Sequence, residues 1–228
     1  MNKTVASSVN HWIAAGVQHA VLSRTMPALR HDLAGSVSVL RMGMAVISRK
    51  LETSAEPLSR EEIAPRLLSI ESGINDLNQG LRRLRHWDKQ SHELLNARDL
   101  LGEIWELSRP FLALRCIEQS PLADADAAAW PRHPIPPQPL MYLLLASIYH
   151  LAEGTDSVPQ RIAVTPDDEC LHLVAEGLAP SSGVPDVLRS DGPLNTPPID
   201  RTGLLCLAEH LQRRIEFTSA QSVLIHLG

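Results

Sequence analysis

The sequence predicts an α+β protein: a long antiparallel helical hairpin that forms a four-helix bundle by dimerisation, followed by a small α/β sandwich. Three observations support this fold class. Two stretches carry apolar residues at alternating steps of three and four, a polar turn separates them, and short β-like runs appear in the last third of the chain. With 228 residues, of which 44% are hydrophobic, the chain can form one large or two small packed domains.

The first long helix is predicted from about residue 26 to 52, after a short leading helix over residues 6–24. Its apolar seam has the spacing typical of a coiled coil and consists, after Met26, of Leu33, Val37, Leu40, Met44, Ile47 and Leu51. Arg30 takes the seam position before Leu33, and His31 lies one residue past it, beside Asp32. We therefore expect the His31 ring to face solvent on a rigid helix, next to an acid.

The second long helix is predicted from Glu61 to Asp88, starting at a capping Ser59. Its seam alternates strictly and consists of Leu67, Ile70, Ile74, Leu77, Leu81 and Leu84. Two such helices joined by a short turn form an antiparallel hairpin, which cannot bury its stripe on both sides. A second copy of the chain would complete a four-helix bundle, and the alternative is that the stripe packs on the rest of the same chain.

The hairpin predicts which groups lie near His31. If the turn centres near residue 58, His31 is level with residues 85–88. Basic residues at that end of the bundle would surround the histidine and hold an anion such as a phosphoryl group; they are Arg82, Arg83, Arg85 and His86. The alternative is a solvated helix end whose basic residues complement the helix dipole.

The character of the chain changes after Lys89. The sequence predicts an apolar helix over residues 99–116 that Pro110 kinks or ends, a loop over 120–139, and a buried helix over 139–153. Strands are predicted over 161–165, 170–176 and 222–227, with a loop over 177–200 and a helix over 202–213. The predicted division is a helical domain, residues 1–92, and an α/β sandwich, residues 93–228.

Composition narrows the class of partner and the compartment. The net charge is −5 with no basic excess, which argues against nucleic acid as the main partner. No apolar run is long enough for a membrane helix, and the start is a poor signal peptide. The three cysteines are scattered without zinc-site spacing, so free thiols and a cytoplasmic location without membrane contact are expected.

A histidine and an acid on the first helix of a coiled-coil hairpin, followed by a small α/β domain, resemble the two-component sensor histidine kinases. The segment Leu29-Arg30-His31-Asp32-Leu33 is similar to the phosphoacceptor box of their dimerisation domain. By this resemblance, His31 is the phosphorylated residue and Asp32 is the acid that follows it.

The second domain resembles the ATP-binding domain of that family with its nucleotide-binding residues removed. In Leu140 to Thr155, Ala146 and His150 stand where the family has its magnesium-binding asparagines, and they offer no hard oxygen ligands. Glu176 stands alone where the family has an acidic nucleotide box. The stretch Arg201 to Cys206 keeps one glycine, Gly203, of the three in the family's glycine box. We therefore expect no ATP binding and no activity as an ATP-dependent kinase.

A kinase-like chain with an intact histidine and no nucleotide site resembles the dimeric histidine phosphotransferases of bacterial phosphorelays. The resemblance implies a homodimer that moves phosphoryl groups between the aspartates of response-regulator receiver domains, with a hybrid histidine kinase as a further partner. It implies no cofactor, because the receiver supplies the magnesium. The site residues would be His31 and Asp32 for the chemistry, with phosphate or receiver contacts from Arg30, Arg82, Arg83 and Arg85.

Three alternatives stay open at this stage. One is a regulatory docking module that inhibits or scaffolds a kinase or response regulator. Another is a sensor kinase with a divergent ATP site. The third is a structural helical adaptor without signalling chemistry, which the exposed pair of His31 and Asp32 disfavours.

Overall fold

The structure is a computed structural model that describes residues 2–53, 59–87, 94–124, 130–153, 157–180 and 196–227. Its helices are α1 (Asn2–Thr53), α2 (Arg60–Arg85), α3 (Ala97–Ala113), α4 (Pro137–Ala152) and α5 (Arg201–His210). Its strands are β1 (Glu118–Gln119), β2 (Ser157–Val158), β3 (Arg161–Asp167), β4 (Cys170–Glu176), β5 (Ala179–Pro180), β6 (Ile215–Ser219) and β7 (Ser222–His226). The predicted α+β class is confirmed.

Helix α1 corrects the prediction of two separate helices, because it runs without a break for 52 residues and contains Pro27. A proline inside a helix removes one backbone hydrogen bond and costs about 3 kcal/mol. The turn before it carries two side-chain contacts to backbone carbonyls. The Thr25 hydroxyl donates to the Val21 carbonyl at 2.9 Å, and Arg24 holds the Ala20 carbonyl at 3.0 Å.

Helix α2 begins where the capping signal predicted. The Ser59 backbone N–H donates to the Glu62 carboxylate at 3.2 Å, which satisfies one of the free amides at the helix start. The helix ends at Arg85, three residues earlier than predicted. Most of the predicted turn over 53–60 lies outside the described residues.

Glycines fix how α1 and α2 pack as a pair. A Cβ built on Gly80 would lie 2.6 Å from Leu33 Cδ2, one on Gly73 would lie 3.1 Å from Leu40 Cδ2, and one on Gly43 would lie 2.7 Å from Ile70 Cγ1. The three close approaches agree with a single antiparallel register. The surface ion pair between Lys50 and Glu62, at 2.9 Å, fits the same register to within one residue.

The β-strands form a five-stranded mixed sheet in the order β1-β3-β4-β7-β6. Only the β1–β3 pair is parallel within this sheet. Strands β3, β4 and β7 match the three predicted strands. The short strands β1, β2 and β5 and the edge strand β6 are additions, and β2 pairs with β5 in a separate two-stranded sheet.

Helix α4 forms the centre of the α/β core. Its residues from Leu140 to Tyr149 are all buried, as the apolar run predicted. Helix α3 continues through Pro110 to Ala113 rather than ending at the proline, and α5 ends at His210 rather than near Arg213.

The chain divides into two compact units that differ from a simple division along the sequence. One unit comprises Met1–Thr25 together with Lys89–Gly228, and the other comprises Met26–Asp88. We call them the α/β unit and the hairpin unit. The first half of α1 therefore packs with the sheet and its helices, whereas the second half pairs with α2.

Candidate functional site

His31 lies on the hairpin unit with its side chain almost fully open to solvent. Its side chain is 89% exposed and that of Asp32 is 64% exposed. The exposure follows from the helical spacing, because the seam residue Leu33 faces Gly80 on α2 while His31 projects from another side of α1. The predicted solvent-facing histidine is therefore present in the structure.

The imidazole and the neighbouring carboxylate are close although consecutive side chains point about 100° apart on a helix. His31 Nδ1 lies 3.6 Å from Asp32 Oδ1. This distance is within ion-pair range but is longer than a hydrogen bond. Asp32 thus flanks the Nδ1 side of the ring.

The register of the hairpin identifies the residues level with His31. The contacts at Gly80, Gly73 and Gly43 put Leu33 opposite residue 80, and the same register puts His31 level with Arg82. The sequence predicted residues 85–88 at this level, because it placed the centre of the turn near residue 58. Three arginines of α2 still lie at the predicted end of the hairpin.

The four predicted arginines differ in exposure. Arg30, Arg82 and Arg85 are exposed, and Arg83 is partly buried with its Nε buried and lacking a hydrogen-bond partner. Within the described part of the chain, none of the four takes part in an ion pair, and none contacts His31 directly. His86, which the sequence grouped with them, is buried. Among the residues that the structure describes, the arginines at this end of the hairpin therefore form no ion pair with a carboxylate.

A second polar cluster lies in the α/β unit, and sequence reasoning missed it. Arg24 forms an ion pair with Glu153 through three hydrogen bonds. Its Nε is 2.9 Å from Oε1, and its Nη2 is 2.8 Å from Oε1 and 3.0 Å from Oε2. The two side chains are only 8% and 10% exposed. Glu153 also accepts from the backbone N–H of Ile199, and Arg115 lies 3.8 Å away.

Aromatic rings close this cluster on its other side. Arg115 lies over the Phe111 ring at 3.7 Å, and the fully buried Tyr149 shares a 3.0 Å hydrogen bond with Thr25. Burial raises the pKa of Tyr149 to about 12. We call Thr25, Arg24, Arg115, Tyr149 and Glu153 the Arg24 clamp. No short motif marks the clamp, because its members come from distant parts of the sequence.

The stretches that resemble nucleotide-binding boxes make contacts within the chain. Gly203 packs against α1, since a Cβ there would lie 2.9 Å from Val17 Cγ2. The carboxylate of Asp200 accepts from the Gly203 backbone N–H at 2.7 Å, and so occupies the start of α5. His150 Nδ1 lies 2.7 Å from the Ile199 carbonyl. A nucleotide phosphate would meet a carboxylate at this helix start, which does not fit an anionic ligand.

Two kinds of feature, a membrane-spanning helix and a metal-binding cluster, are not found among the described residues. None of the helices in the described ranges combines the length and apolarity needed to cross a membrane. The same residues contain no group of three or more histidine, cysteine or acidic side chains placed to hold a metal ion.

Comparisons with known proteins return structural similarity at low sequence identity. No family model matches the chain, and no curated protein matches it. A bacterial phosphotransferase structure is 15% identical, with 90% of this chain and 94% of that chain covered and a TM-score of 0.37. The cytoplasmic segment of the histidine kinase QseC is 16% identical, with 77% and 99% covered and a TM-score of 0.37.

A histidine kinase from Burkholderia phymatum STM815 is 15% identical, with 100% of this chain and 97% of that chain covered and a TM-score of 0.36. Of the three solved structures named here, two are histidine kinases and one is a phosphotransferase. At these TM-scores the similarity does not by itself assign a function.

Proposed function

We propose that this chain is a histidine phosphotransferase: His31 accepts a phosphoryl group from a receiver-domain aspartate and passes it to another. The observation that supports this proposal most is the 89% exposed imidazole on a rigid helix, with an acid beside one ring nitrogen. Of these features, the neighbouring acid is the one that a surface histidine without a function does not need. The proposal keeps the predicted roles of His31 and Asp32.

The position of Asp32 decides which ring nitrogen reacts. Because the carboxylate flanks Nδ1, the free nitrogen is Nε2. Nε2 attacks phosphorus, the bond from phosphorus to the aspartyl oxygen breaks, and the aspartate leaves as a carboxylate. Asp32 stabilises the positive charge that the ring gains, through the proton on Nδ1. Positioning and charge neutralisation dominate such a transfer, and the receiver brings the magnesium.

The arginines at the same end of the hairpin supply the charge neutralisation. Arg82 is level with His31, and Arg30, Arg82 and Arg85 are exposed. A phosphoryl group or an acidic receiver surface is a suitable partner for such groups, because charge-assisted hydrogen bonds to phosphate are among the stronger ones. We assign Arg30, Arg82, Arg83 and Arg85 to phosphate or receiver contacts.

The transfer proceeds without ATP in this proposal. Two contacts support that view: the Asp200 carboxylate occupies the start of α5, and Val17 fills the space beside Gly203. A kinase with a divergent site would need both groups to move before a nucleotide phosphate could approach.

We further propose that the hairpin unit dimerises into a four-helix bundle. Along both seams, every second residue faces the other helix of the same hairpin and is half-buried. The remaining six seam residues are exposed: Val37, Met44, Leu51, Leu67, Ile74 and Leu81. Full burial of a side chain of this kind contributes about 1.5–3 kcal/mol, so the uncovered row favours a second copy. Receiver domains are the proposed hetero-partners.

The decisive experiment is phosphoryl transfer from a panel of phosphorylated receiver domains. We expect the wild-type protein to acquire an acid-labile phosphoryl label and His31→Gln to acquire none. His19→Gln is the matched control, because His19 is also exposed on α1 and should keep full labelling. If the protein instead inhibits a kinase or response regulator, and His31→Gln inhibits it equally well, the docking module is supported. Magnesium-dependent phosphorylation of the protein by ATP would support a kinase.

Two methionines of α1 provide a matched test of the dimer. Met44 is 58% exposed and lies in the seam, while Met42 is 69% exposed and lies outside it. We expect Met44→Glu to convert dimer to monomer in light scattering and Met42→Glu to leave the dimer intact. Equal behaviour of the two variants would contradict the bundle.

A further inference from the structure

A chain of polar side chains crosses the neighbouring strands β4, β7 and β6 of the sheet. Cys170 on β4 is directly opposite His226 on β7 in the strand register. The Cys170 Sγ lies 3.3 Å from His226 Nδ1, and His226 Nε2 lies 3.1 Å from Glu216 Oε1 on β6. Arg214 forms an ion pair with the same carboxylate oxygen.

The order of these contacts sets the roles of the groups. Arg214 orients Glu216, and a carboxylate can only accept, so it takes the proton-bearing Nε2 of His226 as its donor. The neutral ring then presents Nδ1 as an acceptor towards the Cys170 thiol. Thiol, imidazole and carboxylate in this sequence are the arrangement in which an imidazole removes the proton of a nucleophile.

The cluster is open enough for a small reagent. Its residues lie on the sheet face opposite the buried side chains of β4, because Leu171, Leu173 and Ala175 alternate with it into the core. Cys170 is partly exposed, and the side chains of His226 and Glu216 are 25% and 42% exposed.

The surrounding charges define how the thiol would react. Burial, together with the carboxylates of Asp167, Glu169 and Glu216, raises the pKa of the Cys170 thiol, against a smaller opposing effect of Arg214. The resting group is therefore the protonated thiol, and its reaction depends on His226 as the base. The same three carboxylates repel anionic reagents and attract cationic ones.

We propose that Cys170 is a modification site for small cationic disulfides, with His226 as general base and Glu216 and Arg214 as positioning residues. The thiol proton moves to Nδ1 as Sγ attacks one sulfur of the disulfide. The disulfide bond of the reagent breaks, a bond forms between Sγ and the attacked sulfur, and the leaving thiolate takes the proton from the imidazolium. No further oxidant or reductant is needed.

The chain contains its own controls. Cys116 is exposed, and Cys206 is buried with a pKa raised first by burial. If exposure alone decided the reaction, Cys116 would be modified before Cys170. The proposal predicts the opposite order for a cationic reagent.

The test treats the full-length chain with cystamine, a cationic disulfide, or with oxidised glutathione, an anionic one, and maps adducts by mass spectrometry. Cys170→Ser assigns the adduct. Relative to Cys116 in the same sample, we expect Cys170 to prefer cystamine by about tenfold. Slower reaction at Cys170 than at Cys116 with cystamine, or no preference between the reagents, would overturn the proposal.

Variants and pH separate a general base from a passive neighbour. We expect His226→Gln to lower the Cys170 rate on the order of a hundredfold, Glu216→Gln to lower it less, and neither to change Cys116. On the unaltered protein, the Cys170 rate should already be appreciable below the alkaline range in which a thiol of raised pKa ionises. A rate that rises only in the alkaline range, where the thiol itself ionises, would refute the role of His226.

Discussion

The Arg24 clamp and the His31 end of the hairpin both pair a basic side chain with an acidic one, but in opposite environments. At the clamp, Arg24 and Glu153 are about nine-tenths buried and hold each other through three contacts within 3.0 Å. At the hairpin, His31 and Asp32 are mostly exposed and 3.6 Å apart. The first pair makes its hydrogen bonds within the chain, whereas the second pair is open to solvent.

The difference teaches how one helix can hold both kinds of group. α1 carries Arg24 and His31 only seven residues apart. The first half of the helix packs in the α/β unit, and the second half has just one helix against it in the described chain. Arg24 is thus buried and His31 exposed because different elements pack on the two halves of α1, and the helix itself does not change between them.

The largest expected effect comes from breaking the clamp. Glu153→Gln should lower the free energy of unfolding by about 3–5 kcal/mol, because it leaves the buried Arg24 charge uncompensated. Urea denaturation measures the change. Glu62→Gln is the control, since it breaks the Lys50 ion pair at 40–47% exposure and should cost below about 1 kcal/mol.

A paired apolar replacement sharpens the same comparison. Arg24→Met with Glu153→Leu removes both charges, so it should recover most of the stability lost in Glu153→Gln. If Glu153→Gln and Glu62→Gln proved equally mild, the clamp would be no more than a surface ion pair.

The second prediction concerns glycines within the hairpin unit. Gly43→Ala should destabilise by about 1–3 kcal/mol, because its Cβ would lie 2.7 Å from Ile70 Cγ1 and the helices would have to separate. Gly35→Ala should stabilise by up to about 1 kcal/mol through helix propensity, since nothing lies within 4 Å of its Cβ. Thermal unfolding of both variants checks the opposite signs; the same sign in both would rule out the close approach.

The smallest effect near neutral pH belongs to Tyr149. Its pKa is raised to about 12 in the folded protein, so between pH 10 and 12 the unfolded chain loses the phenolic proton first. The stability contributed by the neutral phenol is complete below about pH 10 and disappears as the pH rises through about 12. Alkaline unfolding, followed by tyrosinate absorbance and circular dichroism, should therefore be less steep in Tyr149→Phe.

This prediction also separates the two units, because residues 26–88 contain no tyrosine. Loss of structure confined to the hairpin unit at high pH would contradict it.

Local patterns predicted the parts of the fold that local patterns control. The seams located the hairpin, the capping serine located the start of α2, and a short β-like run located β4 from Cys170 to Glu176. The continuous α1 could not be predicted, because Pro27 indicates a break. The contacts that Thr25 makes with Tyr149 and Arg24 makes with Glu153, just before this point, come from distant sequence. The two-residue strands β1, β2 and β5 are too short for a periodic signal.

The candidate site shows the same division. The exposure of His31 followed from its place beside the seam, which is a local property. Its level against α2 was shifted in the prediction, because side-chain contacts at Gly80 and Gly43 set the register and the assumed turn did not. The Arg24 clamp and the Cys170 cluster join residues more than fifty positions apart, so no spacing in the sequence announces them.

The continuity of α1 has a consequence for how this protein can be taken apart. A fragment starting at the end of the hairpin would keep the sheet but lose Val17, Val21 and Arg24, all supplied by the first half of α1. In such a fragment, the apolar surface that Val17 and Val21 cover would be exposed to water, and Glu153 would lack its ion-pair partner Arg24. The sheet-bearing part therefore cannot be exchanged between proteins as a simple C-terminal cassette; any graft must carry both ends of the chain.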